Sequence, residues 1–231
     1  MVIGGIQKLT LLDYPGKVAA TIFTVGCNFR CPFCHNAPLV NDIDKYSYID
    51  EEEILSFLRK RVGILDGVVI TGGEPTLMPD LPEFISRIKA MGYLVKLDTN
   101  GTDPDMLQYL INNKMIDYVA MDIKNCLEKY REISGVDESF DIECIKRSAE
   151  ILMQGNIDFE FRTTVVKPYH TEEDFDRIGQ WLKGEEKFFL QSFVDSGHLV
   201  GDGVSGATRE EMEVFCNILT HYVKNAQMRG I

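Results

Sequence analysis

Cys27, Cys31 and Cys34, with Phe33 immediately before the last, give the spacing Cys-x3-Cys-x2-Cys. Thiolates are the usual ligands of iron-sulfur cubanes, and three of them leave one iron without a protein ligand. A cubane held by four thiolates mainly carries electrons, whereas one held by three keeps a position at which a small molecule can be bound and transformed. The spacing therefore points to an enzyme. The same cysteines with the adjacent His35 also suit a Cys3His zinc site, the non-enzymatic alternative.

Other residues of unusual type recur where apolar runs end. Thr71-Gly72-Gly73-Glu74-Pro75 closes one run. Paired glycines make turns, and at a strand end they also let backbone groups approach a ligand, with Glu74 ahead of Pro75 held in a defined loop. Asp98-Thr99-Asn100-Gly101 closes the next, and Asp98 shares a strand face with Lys96, which is its simplest partner. Asp122 and Lys124 share a face with Ala120, while Val119, Met121 and Ile123 take the opposite one. An internal salt bridge is the plain alternative for that pair. Arg162 comes late in a fifth run, with Glu160 as a candidate counter-charge, Gln191 comes late in a sixth, and His198 follows it.

The elements that must position these groups alternate. Strands are expected at Val18 to Val25, Val68 to Thr71, Tyr93 to Thr99, Ile116 to Lys124, Ile157 to Val166 and Phe188 to Phe193. Helical patterns lie between them: one from Asp50 with Glu53 at its third position, one with Leu81, Phe84, Ile85 and Ile88 closed by Gly92, and one opened by Asp103 and Pro104. Others run over Ile142 to Leu152, carry Phe175, Ile178 and Leu182, or are capped by Thr208 and Glu211. Strand-then-helix units require parallel strands with helices outside. Ile157, Phe159 and Phe161 face one way and Asp158, Glu160 and Arg162 the other, and charge on one face suits a curved lumen. The expected fold is α/β, a partial (β/α)6 TIM-like barrel, in which reactive groups gather at the C-terminal strand ends. All 231 residues are read as one domain: a lead-in over 1–16, six βα units over 17–193, a glycine-rich loop over 194–206 that suits a lid, and a C-terminal helix over 207–226.

Composition narrows the class. With 45% hydrophobic and 26% charged residues the chain is an ordinary globular protein, and its net charge of −12 repels phosphate backbones and anionic lipid. Nucleic acid and membrane are poor partners, and with no apolar window near the ~20 residues of a membrane span the cytoplasm is the expected compartment. Three of the six cysteines crowd together, while Cys126, Cys144 and Cys216 are scattered, which reads as one metal site plus incidental thiols; Cys144 and Cys216 are expected as buried hydrophobes.

Cys27-x3-Cys31-x-Phe33-Cys34 with Gly72-Gly73-Glu74 resembles the radical S-adenosylmethionine (SAM) superfamily. Asp13-Tyr14-Pro15-Gly16, Arg30, Cys34-His35-Asn36, Asp98-Thr99-Asn100-Gly101 and Asp122-Ile123-Lys124 resemble its glycyl-radical-enzyme activases, and Leu12 to Gly16 is most similar to the branch that activates anaerobic ribonucleoside-triphosphate reductase. The resemblance implies the radical SAM fold and a [4Fe-4S] cluster on Cys27, Cys31 and Cys34 whose open iron is chelated by SAM. It implies Phe33 and His35 against the adenosyl part, Gly72 and Gly73 at the methionyl amino group, and Glu74, Asp98, Asp122, Lys124, Arg162 and Gln191 among the cofactor contacts. It also implies a monovalent cation on Asp98, Thr99, the Ala120 carbonyl and Asp122. Residues 35–71 lack the extra cysteines of many activases, so one cluster is expected, and Val194 stands where pyruvate formate-lyase activase has a cofactor-contacting histidine.

The implied reaction is one-electron reduction by flavodoxin or ferredoxin, reductive cleavage of SAM, and hydrogen abstraction from a glycine of a partner, anaerobic ribonucleotide reductase. The alternatives are an activase of pyruvate formate-lyase type, a radical SAM enzyme acting on a small metabolite such as a deazaguanine precursor, and the zinc module.

Overall fold

A computed structural model of the chain describes residues 1–41, 48–195, 197 and 199–230. The strands are β1 Ile3–Thr10, β2 Ala19–Thr24, β3 Gly67–Gly72, β4 Leu94–Thr99, β5 Tyr118–Asp122, β6 Asp158–Lys167, β7 Lys187–Ser192, β8 Ser205–Gly206 and β9 Asn225–Arg229. The helices are α1 Ala37–Asn41, α2 Glu51–Arg59, α3 Leu81–Lys89, α4 Pro104–Asn112, α5 Tyr130–Ser134, α6 Glu143–Met153, α7 Glu172–Trp181 and α8 Arg209–Thr220. Strands β2 to β7 stand where the six apolar runs predict them. The chain divides into two compact units, the first of Met1–Asn28, Pro38–Ala120 and Cys144–Asp158, the second of Phe29–Ala37, Met121–Glu143 and Phe159–Ile231.

In the first unit β2, β3 and β4 run parallel, with Ala19 opposite Gly67 and Gly67 opposite Leu94. Ile22, Val69, Ile70 and Leu97 are buried, as are Ile54, Leu55 and Leu58 of α2 and Phe84, Ile85 and Ile88 of α3, so the helical stripes meet the sheet as their periodicity requires. Caps start the helices where the sequence signals them: Asp50 accepts from Glu52 N and Asp103 from Met106 N.

The lead-in is not a plain tail. Residues 3–10 form β1, antiparallel to β2, with Thr10 opposite Ala19. Its register shifts between Ile3 and Gly5 and between Gln7 and Thr10, which breaks the alternation that would have marked it as a strand. The Asp13-Tyr14-Pro15-Gly16 motif that follows is packing chemistry. Lys17 N closes a turn on Tyr14 O, Gly16 supplies φ of +68°, and Asp13 accepts from the Thr21 hydroxyl at 2.6 Å. Tyr14 is thereby driven into a cluster with Ala19, Val69 and Tyr118, its ring 6.1 Å from that of Tyr118. A Cβ at Gly67 would stand 3.0 Å from the Tyr14 ring, so glycine there makes room for the plug. Burial, with Asp117 and Asp158 nearby, pushes the phenol up to about 12.

In the second unit β6, β7 and β9 run parallel, with Phe161 opposite Phe188 and Lys187 opposite Asn225, and β8 pairs antiparallel with β6. Phe175 of α7 stacks on Phe215 of α8 at 4.7 Å. The last helix ends at Thr220, not near 226, because residues 225–229 extend to join β7 as β9. That strand is polar at Asn225, Gln227 and Arg229 and carries no strand signal of its own; the ladder supplies it. Arg229 on β9 pairs with buried Glu160 through its two terminal guanidinium nitrogens at 2.8 and 3.0 Å, and its guanidinium carbon lies 3.3 Å from the centre of the Phe189 ring. Arg162, the partner expected for Glu160, reaches Asp122 through its Nε at 3.0 Å.

Tyr14→Ala removes one of the two aromatic members of its cluster, and core aromatic truncations cost about 3–5 kcal/mol. Urea denaturation is expected to show a loss of that order; a loss below about 1 kcal/mol would mean that the motif does not serve packing.

Candidate active site

The site residues of the first unit begin where β2 and β3 end. At Gly72, with φ of +116°, a Cβ would lie 2.4 Å from Thr24 N, and at Gly73 one would lie 1.9 Å from Gly26 O. That space lets Gly73 N donate to Thr24 O at 2.9 Å and Glu74 N donate to Gly26 O at 2.8 Å. The paired glycines thus dock one loop against the stem of the cysteine loop, because no side chain fits between the two backbones.

Glu74 is 1% exposed. Its Oε1 accepts from Thr76 N at 3.1 Å, the Thr76 hydroxyl at 2.6 Å and the Thr99 hydroxyl at 2.7 Å, and its Oε2 accepts from Asn100 N at 2.6 Å. Burial raises this carboxyl above the usual range, and its donors offset only part of the rise. It ties the end of β3 to the end of β4. Asn100 then reaches the first cysteine, its Nδ2 lying 3.8 Å from Cys27 Sγ and 3.0 Å from Asn28 Oδ1. Asp98 pairs with buried Lys96, the partner its strand face predicts.

In the second unit Cys31 and Cys34 close a turn, Cys34 N donating to Cys31 O at 3.1 Å. Arg30 N donates to Ser134 O at 2.8 Å, and Cys31 Sγ lies 3.9 Å from the same carbonyl. Gly135, with φ of +65°, makes this seat possible, since a Cβ there would meet Arg30 O at 2.4 Å. Gly201 N donates to Pro32 O at 2.9 Å, which fastens the glycine-rich loop to the cysteine loop. Ser196 and His198 of that loop lie outside the described residues. Phe33 is buried, and His35, its ring pulled toward neutrality by burial, packs on Phe193 at 5.2 Å. Val194 is exposed.

Asp122, Lys124 and Arg162 come together. Lys124 Nζ lies 3.1 Å from Asp122 Oδ2, and Arg162 reaches Asp122 Oδ1 through Nε at 3.0 Å and a terminal nitrogen at 2.9 Å. Burial alone would raise Asp122, but Arg162 and Lys124 hold it down at about 2. Burial would lower Lys124, and Asp122 with Cys31 overcomes this and raises it. The salt bridge foreseen as a plain alternative is therefore present, but with one carboxylate against two cations the group keeps a positive surplus. Lys124 Nζ also lies 5.9 Å from the centre of the Phe33 ring. Gln191 stands opposite Arg229 in the β7–β9 ladder.

The side chains expected around a monovalent cation are engaged with protein: Asp98 with Lys96, Thr99 with Glu74, and Asp122 with Lys124 and Arg162. Among the described residues no three His, Cys, Asp or Glu side chains stand as ligands of a single ion. Cys126 and Cys216 are buried, whereas Cys144, expected to be buried, is half-exposed at the start of α6.

Sequence reasoning gave Asn100 no role and passed over His170. His170 is buried, and its Nε2 lies 2.9 Å from Lys124 O, which can only accept. The proton therefore sits on Nε2 and leaves Nδ1 to accept from Val166 N at 3.1 Å. His170 fixes the backbone that carries Lys124. Its sequence signal, a histidine shortly after a strand, is indistinguishable from a surface turn.

The sequence profile of the Radical SAM superfamily matches residues 21–182. The chain belongs to that superfamily. A protein of Methanocaldococcus jannaschii named as a candidate glycyl-radical enzyme activating enzyme is 38% identical over 197 residues, 83% of this chain and 79% of that one. Among solved structures, a radical SAM methyltransferase from Sphaerobacter thermophilus aligns with a TM-score of 0.70 at 13% identity, over 96% of this chain and 69% of that one. A domain of pyruvate-formate lyase-activating enzyme from Bacteroides vulgatus aligns with a TM-score of 0.55 at 18% identity, over 71% of this chain and 99% of that one. The structural likenesses establish the radical SAM fold; the sequence likeness places the chain with the glycyl-radical-enzyme activating enzymes. Membership implies a [4Fe-4S] cluster and SAM, and it removes the zinc-module alternative.

Two outcomes follow from this geometry. Glu74→Gln puts an amide donor against donors already present, and an unmet buried group costs about 1–3 kcal/mol, which chemical denaturation should register. For His170 the folded-state value lies below 6.5, so the neutral ring contributes stability that is full above that pH and lost as the pH falls below it. The drop in melting temperature from pH 7.5 to pH 5.5 should be smaller in His170→Gln than in the wild type; equal drops would remove His170 as the source.

Proposed function

We propose that the chain is a radical SAM activase that generates a glycyl radical on anaerobic ribonucleoside-triphosphate reductase, receiving its electron from flavodoxin or ferredoxin. The observation that carries this reading is the 38% identity, over most of both chains, to the candidate activating enzyme of M. jannaschii. The Leu12 to Gly16 segment supports the choice of partner, since it resembles the reductase-activating branch.

The donor set fits the cofactors. Cys27, Cys31 and Cys34 are in no disulfide and present thiols, the ligand type a cubane takes, and they are read as holding the [4Fe-4S] cluster. An amide nitrogen of Asn100 lies 3.8 Å from the Cys27 sulfur. Thiolates of a cubane bind separate irons, so they need not converge as ligands of one ion do.

Once bound, the cluster and SAM supply reductive carbon-sulfur cleavage and a 5′-deoxyadenosyl radical that takes hydrogen from the partner's glycine. The chain's own groups bind and orient. The Gly73 N–H is committed to Thr24 O, so an amino group of the cofactor meets this segment through carbonyl oxygen. The surplus positive charge of Asp122, Lys124 and Arg162 suits a carboxylate and its neighbouring hydroxyls. Phe33 and His35 offer flat surfaces to a purine. Glu74 keeps the loops after β3 and β4 in place. No side-chain acid or base is called for, so the protein contributes placement and exclusion of water.

After anaerobic reconstitution and reduction, the protein is expected to form 5′-deoxyadenosine and methionine from SAM, and a carbon-centred glycyl signal should appear by electron paramagnetic resonance on the ribonucleotide reductase. A signal on pyruvate formate-lyase alone would reassign the partner, and no cleavage of SAM would end the reading. Cys27→Ala, Cys31→Ala or Cys34→Ala should each reduce cleavage to background, while Cys126→Ala, Cys144→Ala and Cys216→Ala should leave it intact.

A further inference from the structure

We infer that the side-chain amide of Asn100 sets the reduction potential of the cluster by donating an N–H···S hydrogen bond to Cys27, an inference that rests on Cys27 being a cluster ligand as proposed above. Asn100 is 6% exposed at the end of β4. Its Oδ1 accepts from Thr102 N at 3.0 Å and from the Thr102 hydroxyl at 2.7 Å. A backbone N–H can only donate, so the atom facing it must be the amide oxygen, and the orientation of the amide is decided. Nδ2 then faces Cys27 Sγ at 3.8 Å, within hydrogen-bond reach of a sulfur acceptor, and Asn28 Oδ1 at 3.0 Å.

This arrangement is built rather than incidental. Asn28 Nδ2 donates to the Thr102 hydroxyl at 2.9 Å, which closes a ring of hydrogen bonds through Asn100, Thr102 and Asn28. The backbone of Asn100 is held by buried Glu74 at 2.6 Å, and the carbonyl of Gly101 accepts from the Ser148 hydroxyl of α6 at 2.7 Å. Every freedom by which the amide might turn from the sulfur is taken up by a named partner.

A thiolate ligand carries more negative charge when the cluster is reduced, so a donor aimed at it stabilises the reduced state more than the oxidised one and raises the potential. Asn100 is a positioning residue that acts through the ligand, not on substrate. Its effect eases the entry of the electron that the flavodoxin or ferredoxin must deliver.

The test is a redox titration, followed by electron paramagnetic resonance, of the reconstituted wild type, Asn100→Leu and Asn100→Gln, with iron and sulfide measured in each. Asn100→Leu, which keeps the side-chain size and removes the donor, is expected to load a cluster with a more negative midpoint potential, and Asn100→Gln to return part of the shift. A loaded Asn100→Leu with the wild-type potential would overturn the inference while leaving the proposed activity untouched. Should Asn100→Leu not load, wild type labelled with 15N-asparagine answers the question: pulsed measurements on its reduced cluster should show a 15N coupling, and its absence would overturn the inference. A wild type that takes up no cluster would overturn the functional reading and this inference together.

Discussion

A carboxylate removed from water is tolerable only when its lone pairs are taken, and Glu74 satisfies that condition by collecting donors from both of the loops it must align. The condition works in both directions. The donors satisfy the buried carboxyl, and the carboxyl keeps Thr76, Thr99 and Asn100 where they are. Gly72 and Gly73 add the steric half of the same constraint, since only bare backbone allows the loop to sit against Thr24 and Gly26. The first cysteine is thereby reached from two directions, through its own stem and through Asn100.

Charge in the second unit follows a similar logic with the opposite surplus. In a chain of net charge −12, Asp122, Lys124 and Arg162 bring two cations to one carboxylate, and Arg229 pairs with Glu160 on β6. The polar, unforeseen strand β9 matters because it delivers a guanidinium to buried Glu160.

Much of the fold was legible. Strands β2 to β7 carry local apolar patterns, and the helices announce themselves by caps, as in the Thr208–Glu211 capping box of α8. Strands β1 and β9 were not legible, because the first is irregular in register and the second is mostly polar; each exists through the ladder of a neighbour. At the site, Cys27, Gly72, Asp98 and Asp122 were visible as residue types at strand ends, and the Lys96 partner of Asp98 was visible by the alternation of strand faces. The roles of Asn100, His170 and Ser134 were invisible, since each depends on a contact with a distant segment.

The sequence by itself determined the chemistry on offer: thiols at cluster spacing, glycines at a strand end, and acidic and basic groups at successive strand ends. Those are properties of covalent spacing and of two-residue and 3.6-residue periods, which are local. Tertiary structure alone decided which partner each buried group took. Arg162 meets a carboxylate 40 residues away and Arg229 one 69 residues away, and the Asn100 amide turns toward a sulfur 73 residues away. A charge or an amide in a chain has many possible partners, and only the folded backbone brings one of them within hydrogen-bond distance.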